Sequence, residues 1–161
     1  MIPKKNLSSL KELYKLYSTD IYRYSLSLLK DTEDAKDAVH ETFIRYSENE
    51  SQFRGESSQK TWLLVIARNY CYSKMKKADR ANVRIDDNDP IMYNPEYDVG
   101  LTLKAAINNL YHEQSELLFL KVYYNYSYVE IAEITNQTVE NVAIKLYRIR
   151  QKLKKILETQ I

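Results

Sequence analysis

The stretch FRGESSQKTWLLVIARNYCYSKMKK, residues 53–77, decides how the rest of the chain is interpreted. It begins with a polar loop around Gly55, one of only two glycines in the chain. The residues after it predict a helix, because apolar side chains recur at three- and four-residue intervals: Trp62, Leu63, Ile66, Ala67, Tyr70 and Cys71. The opposite face carries Lys60, Arg68, Asn69 and Ser73, and the last turn adds Lys74, Lys76 and Lys77. Two interpretations fit this pattern: a surface that holds a single nucleic-acid strand, or an amphipathic helix with a solvated basic end.

Composition points to an all-α fold. The 161 residues are enough for one medium domain or two small ones, and they include only three prolines and two glycines. So few turn residues favour long helices, and no strong alternation of apolar and polar residues predicts a strand. The sequence contains no run of about 18 apolar residues and no apolar signal core near its start. We therefore expect a soluble, cytoplasmic protein without membrane insertion.

Charge divides the chain into three blocks. Residues 1–80 and 101–161 are mildly basic, whereas residues 81–100 hold five acidic side chains and one basic side chain. Residues 80–100 also contain two of the three prolines and lack helical periodicity. This pattern predicts two small helical domains joined by a flexible linker, and basic blocks of this kind suit a polyanion partner.

Two helices are predicted before the opening stretch. The first runs from about Ser9 to Leu29, starts with the capping box Ser9-Leu-Lys-Glu12, and has a seam for another helix at Leu10, Tyr14, Tyr17, Ile21, Tyr24 and Leu28. Asp31 or Thr32 caps the second, which runs from about Glu33 to Ser47. Its predicted buried stripe is Ala35, Ala38, Val39, Phe43 and Tyr46.

Three carboxylates, Asp34, Asp37 and Glu41, share another face of the second helix. A solvated acidic face or a protein-docking face explains them better than a metal site. The zinc motif HExxH fails at its second histidine, because Ile44 stands there. The chain also offers no phosphate-binding glycine loop and no nucleophile–base pair. We therefore expect no metal, no cofactor and no enzymatic activity.

The second block predicts a helix-turn-helix. Leu101, Ala105, Ile107 and Leu110 begin one helix, and another runs from Glu113 to Tyr124, with Leu117, Leu120 and Tyr124 inward. The capping box Ser127–Glu130 opens a short helix, Tyr128–Ile134, in which Ala132 permits a close crossing. Asn136 suits a left-handed turn, and Thr138 caps a last helix that runs to about Leu157. Its predicted buried seam is Val142, Leu146, Ile149, Leu153 and Ile156.

The last helix has the character of a DNA-reading element. Between residues 143 and 155 it holds six basic side chains and no acidic one. Its outer face carries Asn141, Ile144, Lys145 and Arg148, which suit contacts with base edges and a thymine methyl group in the major groove. The lysines near its end suit phosphates, which position a protein without specifying sequence.

Two segments together resemble a known family. DTEDAKDAVHETFIRY (Asp31–Tyr46) followed by FRGESSQKTWLLVIARN (Phe53–Asn69) is similar to the promoter-melting domain of bacterial sigma factors of the extracytoplasmic-function (ECF) class. YSYVEIAEITNQTVENVAIKLYRIRQKL (Tyr126–Leu153) is similar to the C-terminal helix-turn-helix domain of that class. The resemblance implies a sigma region 2 domain at 1–79, a linker at 80–100 and a sigma region 4 domain at 101–161.

The resemblance also implies site residues. The polymerase-docking residues would be Asp34, Asp37, Glu41 and Arg45. The minus-ten element would be recognised, with one base flipped from the non-template strand, by Phe53, Arg54, Glu56, Ser57, Ser58, Lys60, Arg68, Asn69, Ser73, Lys76 and Lys77. The minus-thirty-five element would be read as duplex by Thr138, Asn141, Ile144, Lys145 and Arg148.

The implied partners are core RNA polymerase and promoter DNA, with an anti-sigma factor as a further candidate. The implied function is that of a sigma factor, which directs core polymerase to specific promoters. An alternative is a stand-alone helix-turn-helix regulator that binds DNA without polymerase, but that function would leave the acidic face around Asp34 unexplained.

Overall fold

The computed structural model describes residues 9–52, 58–79, 103, 105–107 and 110–158. These residues form helices and turns and contain no strand, so the described part of the chain is all-α as predicted. The chain divides into two compact units, Met1–Lys77 and Ala78–Ile161. The predicted linker, residues 80–100, lies outside the described residues.

The first unit begins with two helices that pack against each other, α1 (Leu10–Leu29) and α2 (Thr32–Glu48). The Ser9 side chain accepts a hydrogen bond from the Glu12 amide at 3.3 Å, and Asp31 accepts one from the Asp34 amide at 2.9 Å. Both caps satisfy backbone donors that a helix start leaves free. The whole predicted stripe of α2 is buried, and Thr42 joins it by donating its hydroxyl to the Ala38 carbonyl.

The predicted seam of α1 is correct only in its second half. Ile21, Tyr24 and Leu28 are buried, but Leu10 and Tyr14 are exposed and Leu13 is buried in their place. Leu10 is the first residue of α1, and its side chain is 40% exposed. Tyr14 packs the edge of its ring against Phe43, with the ring centres 5.0 Å apart, and keeps its other side in solvent.

The third helix, α3 (Gln59–Asp79), completes the first unit after a 3₁₀ turn, Glu50–Gln52. Ser58 caps it by accepting a hydrogen bond from the Thr61 amide at 3.0 Å. Its buried residues are Leu63 and, at intervals of three or four residues along the helix, Leu64, Ala67, Cys71 and Met75. Trp62, Ile66 and Tyr70, which were expected to be buried, are only half-buried. The inward face is therefore rotated slightly from the predicted one.

In the second unit, the described residues include helical positions 103 and 105–107 and three longer helices. These are α4 (His112–Leu118), α5 (Tyr128–Thr135) and α6 (Val139–Glu158). In the first stretch, Ala106 and Leu110 are buried, while Ala105 and Ile107 are exposed. Leu101 lies outside the described residues. In α6, Val142, Leu146, Ile149 and Leu153 are buried, and Ile156 is half-buried.

Helix α4 does not continue as α-helix to Tyr124, as the sequence predicted. It widens into a π-helical turn, Phe119–Tyr123, and the Tyr124 amide bonds to the Phe119 carbonyl at 3.3 Å. Within this turn, the Phe119 and Tyr123 rings stack with their centres 4.9 Å apart. Such π-helical turns are rare and occur mostly as single turns inside α-helices.

The turn between α5 and α6 is the predicted helix-turn-helix turn. Asn136 ends α5 in the left-handed conformation, with φ 54° and ψ 50°, and its amide bonds to the Ala132 carbonyl. The Thr138 side chain then caps α6 by accepting a hydrogen bond from the Asn141 amide at 3.1 Å. Ala132 is buried, so its small side chain lies where α5 packs against α6.

Candidate nucleic-acid interface

The acidic face of α2 is joined to α3 through one lysine. The Lys74 ammonium lies 2.9 Å from Asp34 and 3.9 Å from Asp37. The hydrogen bond to Asp34 is the main reason why the pKa of Lys74 is raised above its ordinary value of 10.5, and burial opposes that shift. Asp37 keeps 65% of its side chain exposed. Lys74 therefore neutralises part of the negative charge of this face, and Asp37 is the carboxylate most accessible to a partner.

The same face continues through an aromatic ring to a second ion pair. Arg45 bonds to Glu41 at 3.1 Å and also lies 5.3 Å from the centre of the Tyr70 ring. Lys74 approaches that ring as well, at 5.9 Å. Contacts of a cation with a ring face are favourable, so Tyr70 links the two ion pairs into one strip. The structure thus brings together the four residues expected to dock polymerase, and it adds Lys74 and Tyr70 to them.

On α3, three of the predicted strand-binding residues share one exposed stripe. Asn69, Ser73 and Lys76 are spaced four and three residues apart and all face solvent. Lys77 is exposed beside them, and Arg68 stacks its guanidinium over the Tyr72 ring at 4.4 Å. A polar amide, a hydroxyl and a cation along one helix face can contact the phosphates and base edges of a nucleic-acid strand.

Lys60 lies apart from that stripe. It is nine residues before Asn69, which places it about half a turn around the helix. Its ammonium lies 3.5 Å from Asp20 of α1 and 6.0 Å from the centre of the Tyr17 ring. Lys60 therefore braces α3 against α1. Ser58 caps α3, and the remaining predicted residues of this set, Phe53, Arg54, Glu56 and Ser57, lie outside the described residues.

On α6, Asn141, Ile144 and Arg148 form an exposed stripe at intervals of three and four residues. Thr138 lies at the start of the same helix, where its side chain is occupied as the cap. The stripe combines an amide, an apolar side chain and a guanidinium, which together match the hydrogen-bonding and methyl groups of the major groove. Arg150 points elsewhere, since its guanidinium meets the Tyr128 hydroxyl at 3.3 Å.

Lys145 belongs to this stripe by position, but two side chains hold it. Its ammonium forms an ion pair with Glu113 of α4 and donates a hydrogen bond to the Gln137 side-chain oxygen at 2.7 Å. Neither partner of Lys145 was predicted from the sequence. Glu113 is 32 residues away along the chain, so no local spacing could reveal it.

Other chemistry is not evident in the described residues. They contain no group of three or more histidine, cysteine, aspartate or glutamate side chains arranged to hold a metal ion. Cys71 is buried and forms no disulfide. Every helix in this part of the chain is too short or too polar to cross a bilayer.

Comparison with known proteins identifies both units. The family model described as Sigma-70 region 2 matches residues 13–81, and the one described as Sigma-70, region 4 matches residues 101–153. The RNA polymerase sigma factor YlaC of Bacillus subtilis (strain 168) is 29% identical, over 94% of this chain and 93% of its own length. The ECF RNA polymerase sigma factor SigM of the same strain is also 29% identical, over 91% and 93%.

Solved structures give the same result for the fold. The sigma factor RpoE, in a co-crystal with the anti-sigma factor NepR from Bartonella quintana, matches with a TM-score of 0.73 and 25% identity. That match covers 94% of this chain and 98% of RpoE. CnrH, solved in complex with the cytosolic domain of CnrY, matches with a TM-score of 0.67 over 94% and 89% of the two chains. Its identity is 18%, so it shows a shared fold.

Proposed function

This chain belongs to the ECF class of the sigma-70 family, and we propose that its two units engage two separate promoter elements while core RNA polymerase carries both. As a sigma factor, it directs polymerase to promoters and initiates transcription. The observation that carries the proposal is the match of both sigma-70 regions, in order, to residues 13–81 and 101–153. Region 2 falls mainly in the first unit and region 4 in the second.

We assign polymerase docking to the strip on α2. Asp34, Asp37, Glu41 and Arg45 lie on one side of that helix, away from its buried stripe. Asp37 is the most exposed of the three carboxylates, so it is the first that a basic polymerase surface can reach. Lys74 and Tyr70 support the strip from α3, and they hold it in one geometry before a partner arrives.

We assign capture of the minus-ten element to α3 and the loop before it. The exposed stripe of Asn69, Ser73 and Lys76 supports this role, because amide, hydroxyl and ammonium groups at these intervals can follow a nucleic-acid strand. Arg68, stacked on Tyr72, adds a cation with a planar face. Phe53, Arg54, Glu56 and Ser57 complete the proposed site.

We assign duplex recognition of the minus-thirty-five element to α6. Helix α5 packs against α6, and Thr138 caps the end of α6 that would enter the major groove. Asn141, Ile144 and Arg148 face outward there. The amide of Asn141 suits adenine, and the guanidinium of Arg148 suits guanine or a phosphate.

Energetics explain why polymerase is required. Opening duplex DNA costs roughly 1.4 kcal/mol per stacked step, and extruding one base costs a few kcal/mol. Stacking of a base on an aromatic side chain contributes about 1–3 kcal/mol per base. One captured base is thus nearly balanced by one pocket, whereas a bubble of several steps is not. The first unit can hold a melted strand, but the free chain cannot open one.

The remaining features follow from family membership. We propose that the chain has no catalytic activity of its own and acts in the cytoplasm, where it meets polymerase. RpoE was solved with an anti-sigma factor bound, which supports an anti-sigma factor as a candidate partner of this chain as well.

Run-off transcription tests the proposal. The purified chain is added to core RNA polymerase on a library of genomic promoter fragments, and transcripts are compared with those from core polymerase alone. We expect a small set of promoters to respond, sharing two conserved elements. If the chain binds DNA but changes no transcript, a stand-alone helix-turn-helix regulator replaces the sigma factor as the explanation.

A further inference from the structure

Three elements of the second unit meet at one lysine. Lys145 lies in the second turn of α6, Glu113 in the first turn of α4, and Gln137 in the turn between α5 and α6. The Lys145 ammonium contacts the Glu113 carboxylate and the Gln137 amide oxygen, the latter at 2.7 Å. We call these three side chains the Lys145 node. It joins the helix before the helix-turn-helix to the helix proposed to read DNA.

The node leaves Lys145 with one free direction. A lysine ammonium has three N–H donors, and two of them are directed at Glu113 and Gln137. Its side chain is 38% exposed, so the third donor can still reach an outside acceptor. The node also opens on a groove of about 480 Å³ that Arg148 and Lys152 line as well.

The orientation of the Gln137 amide serves Lys145 at the expense of the amide nitrogen. Its side-chain oxygen accepts from Lys145, while its side-chain nitrogen is buried and has no hydrogen-bond partner among the described residues. Buried polar atoms normally find a partner, so an unpartnered one calls for an explanation. Because the Lys145 ammonium needs an acceptor, it holds the oxygen of the Gln137 amide toward itself and leaves the amide nitrogen in the buried position.

The charge of Lys145 is also balanced. Free lysines on a DNA-binding face attract phosphates of any sequence, because each neutralised phosphate releases counterions. Glu113 cancels that attraction at Lys145. Asn141 lies four residues before Lys145 and Arg148 three residues after it, so the held ammonium lies within the proposed base-reading stripe. A donor fixed in one direction suits a single acceptor on a base edge.

We propose that Glu113 is a positioning residue for promoter discrimination: with Gln137, it holds Lys145 so that its remaining N–H selects a base-edge acceptor, and it suppresses contact of Lys145 with phosphates of unrelated DNA. The proposal rests on the function assigned above to α6. It gives Glu113, an acid on a DNA-binding unit, a role in specificity. It also makes Lys145 a weaker contributor to general affinity than Arg148.

The test uses the full chain assembled with core polymerase. Duplexes randomised over the minus-thirty-five region are selected with the wild-type holoenzyme, and binding to the selected duplex and to a scrambled duplex is then measured at several salt concentrations. For Glu113→Ala, we expect the ratio of selected to scrambled affinity to fall roughly tenfold, because one directed base contact is lost. We also expect scrambled binding to strengthen and its salt slope to steepen by about 0.9, the value for one added phosphate contact.

Companion variants separate the role of Glu113 from simple charge or stability effects. Glu133→Ala removes one acid from the exposed side of α5 and should leave the ratio unchanged. Glu113→Gln keeps an acceptor for Lys145 but not its charge, so it should restore part of the ratio and retain the steeper slope. In a Lys145→Ala background, Glu113→Ala should not change the ratio further.

Other results overturn the proposal. If Glu113→Ala strengthens binding to both duplexes equally, Glu113 is an ordinary repulsive acid. If it weakens both equally and lowers the melting temperature, Glu113 is only a brace between α4 and α6. If the wild-type holoenzyme selects no sequence at all, the function proposed for α6 fails, and the role of Glu113 fails with it.

Discussion

The left-handed residue Asn136 allows a quantitative test of the helix-turn-helix turn. Its backbone has φ 54° and ψ 50°, and its amide closes the end of α5 on the Ala132 carbonyl. A residue with a Cβ pays about 1–2 kcal/mol in this conformation, and asparagine tolerates it better than most because its short side chain bonds locally. Valine has no such compensation, and its branched Cβ crowds the backbone. We therefore expect Asn136→Val to destabilise the second unit by about 1–2 kcal/mol.

In a unit of this size, each kcal/mol moves the melting temperature by about 4–8 °C, so the expected drop is about 4–16 °C. Thermal unfolding of the full chain followed by circular dichroism measures it, and hydrogen exchange of the α5 and α6 amides assigns the change to the second unit. Glu133→Val is the matched control, because it introduces the same side chain at an exposed helical position of α5. Asn136→Gly should melt at or above the wild-type temperature. If Asn136→Val melts at the same temperature as Glu133→Val, the left-handed conformation of residue 136 is refuted.

Three further predictions concern the two units. Lys74→Met should lower the free energy of unfolding by about 0.5 kcal/mol at neutral pH, as measured by denaturant unfolding. Because Asp34 raises the pKa of Lys74 in the folded state, this difference should persist up to pH 10.5 and disappear as the pH rises through the raised pKa. A difference that instead grows with rising pH would contradict the ion pair. Asp37→Lys should weaken binding to core polymerase roughly tenfold by opposing a basic partner, with duplex DNA affinity unchanged; equal polymerase binding by fluorescence anisotropy would contradict the docking assignment. Arg148→Ala should weaken recruitment to duplex DNA, which a gel shift measures. Asn69→Ala should retain recruitment and impair promoter opening, which permanganate reactivity measures. If both variants gave the same result in the two assays, the two units would not have separate roles.

Local features of the fold could be predicted from the sequence. The caps at Ser9, Asp31 and Ser127 each use a side-chain oxygen and a backbone amide three residues on. Asn136 occupies the left-handed turn position for which its side chain was identified. These interactions close within one turn of chain, so residue type and spacing are sufficient to identify them.

Helix faces near element ends were less predictable. The sequence pattern favoured Leu10 and Tyr14 as buried, and the structure buries Leu13 instead. Periodicity gives the spacing of a face, but where a helix end faces depends on which neighbour covers it. The π-helical turn at Phe119–Tyr123 was not predicted either, because no periodic pattern of apolar residues distinguishes such a turn from α-helix.

The candidate surfaces could be predicted in outline but not in their internal pairing. Lys74 was visible as a basic residue near a helix end, yet its link to Asp34 spans two helices. Lys145 was expected to face DNA freely, and its hold by Glu113 spans 32 residues. Lys60 was expected beside Asn69 and instead braces α1. Charge composition identifies such side chains, whereas tertiary packing decides which of them remain available to a partner.

The central claim is that this chain opens promoters only when core polymerase carries it. Permanganate reactivity of thymines in a responsive promoter measures opening directly, with the chain alone, core polymerase alone, and both together. Reactive thymines are expected within and downstream of the minus-ten element only when both are present. Reactivity with the chain alone, or none with both, would contradict it.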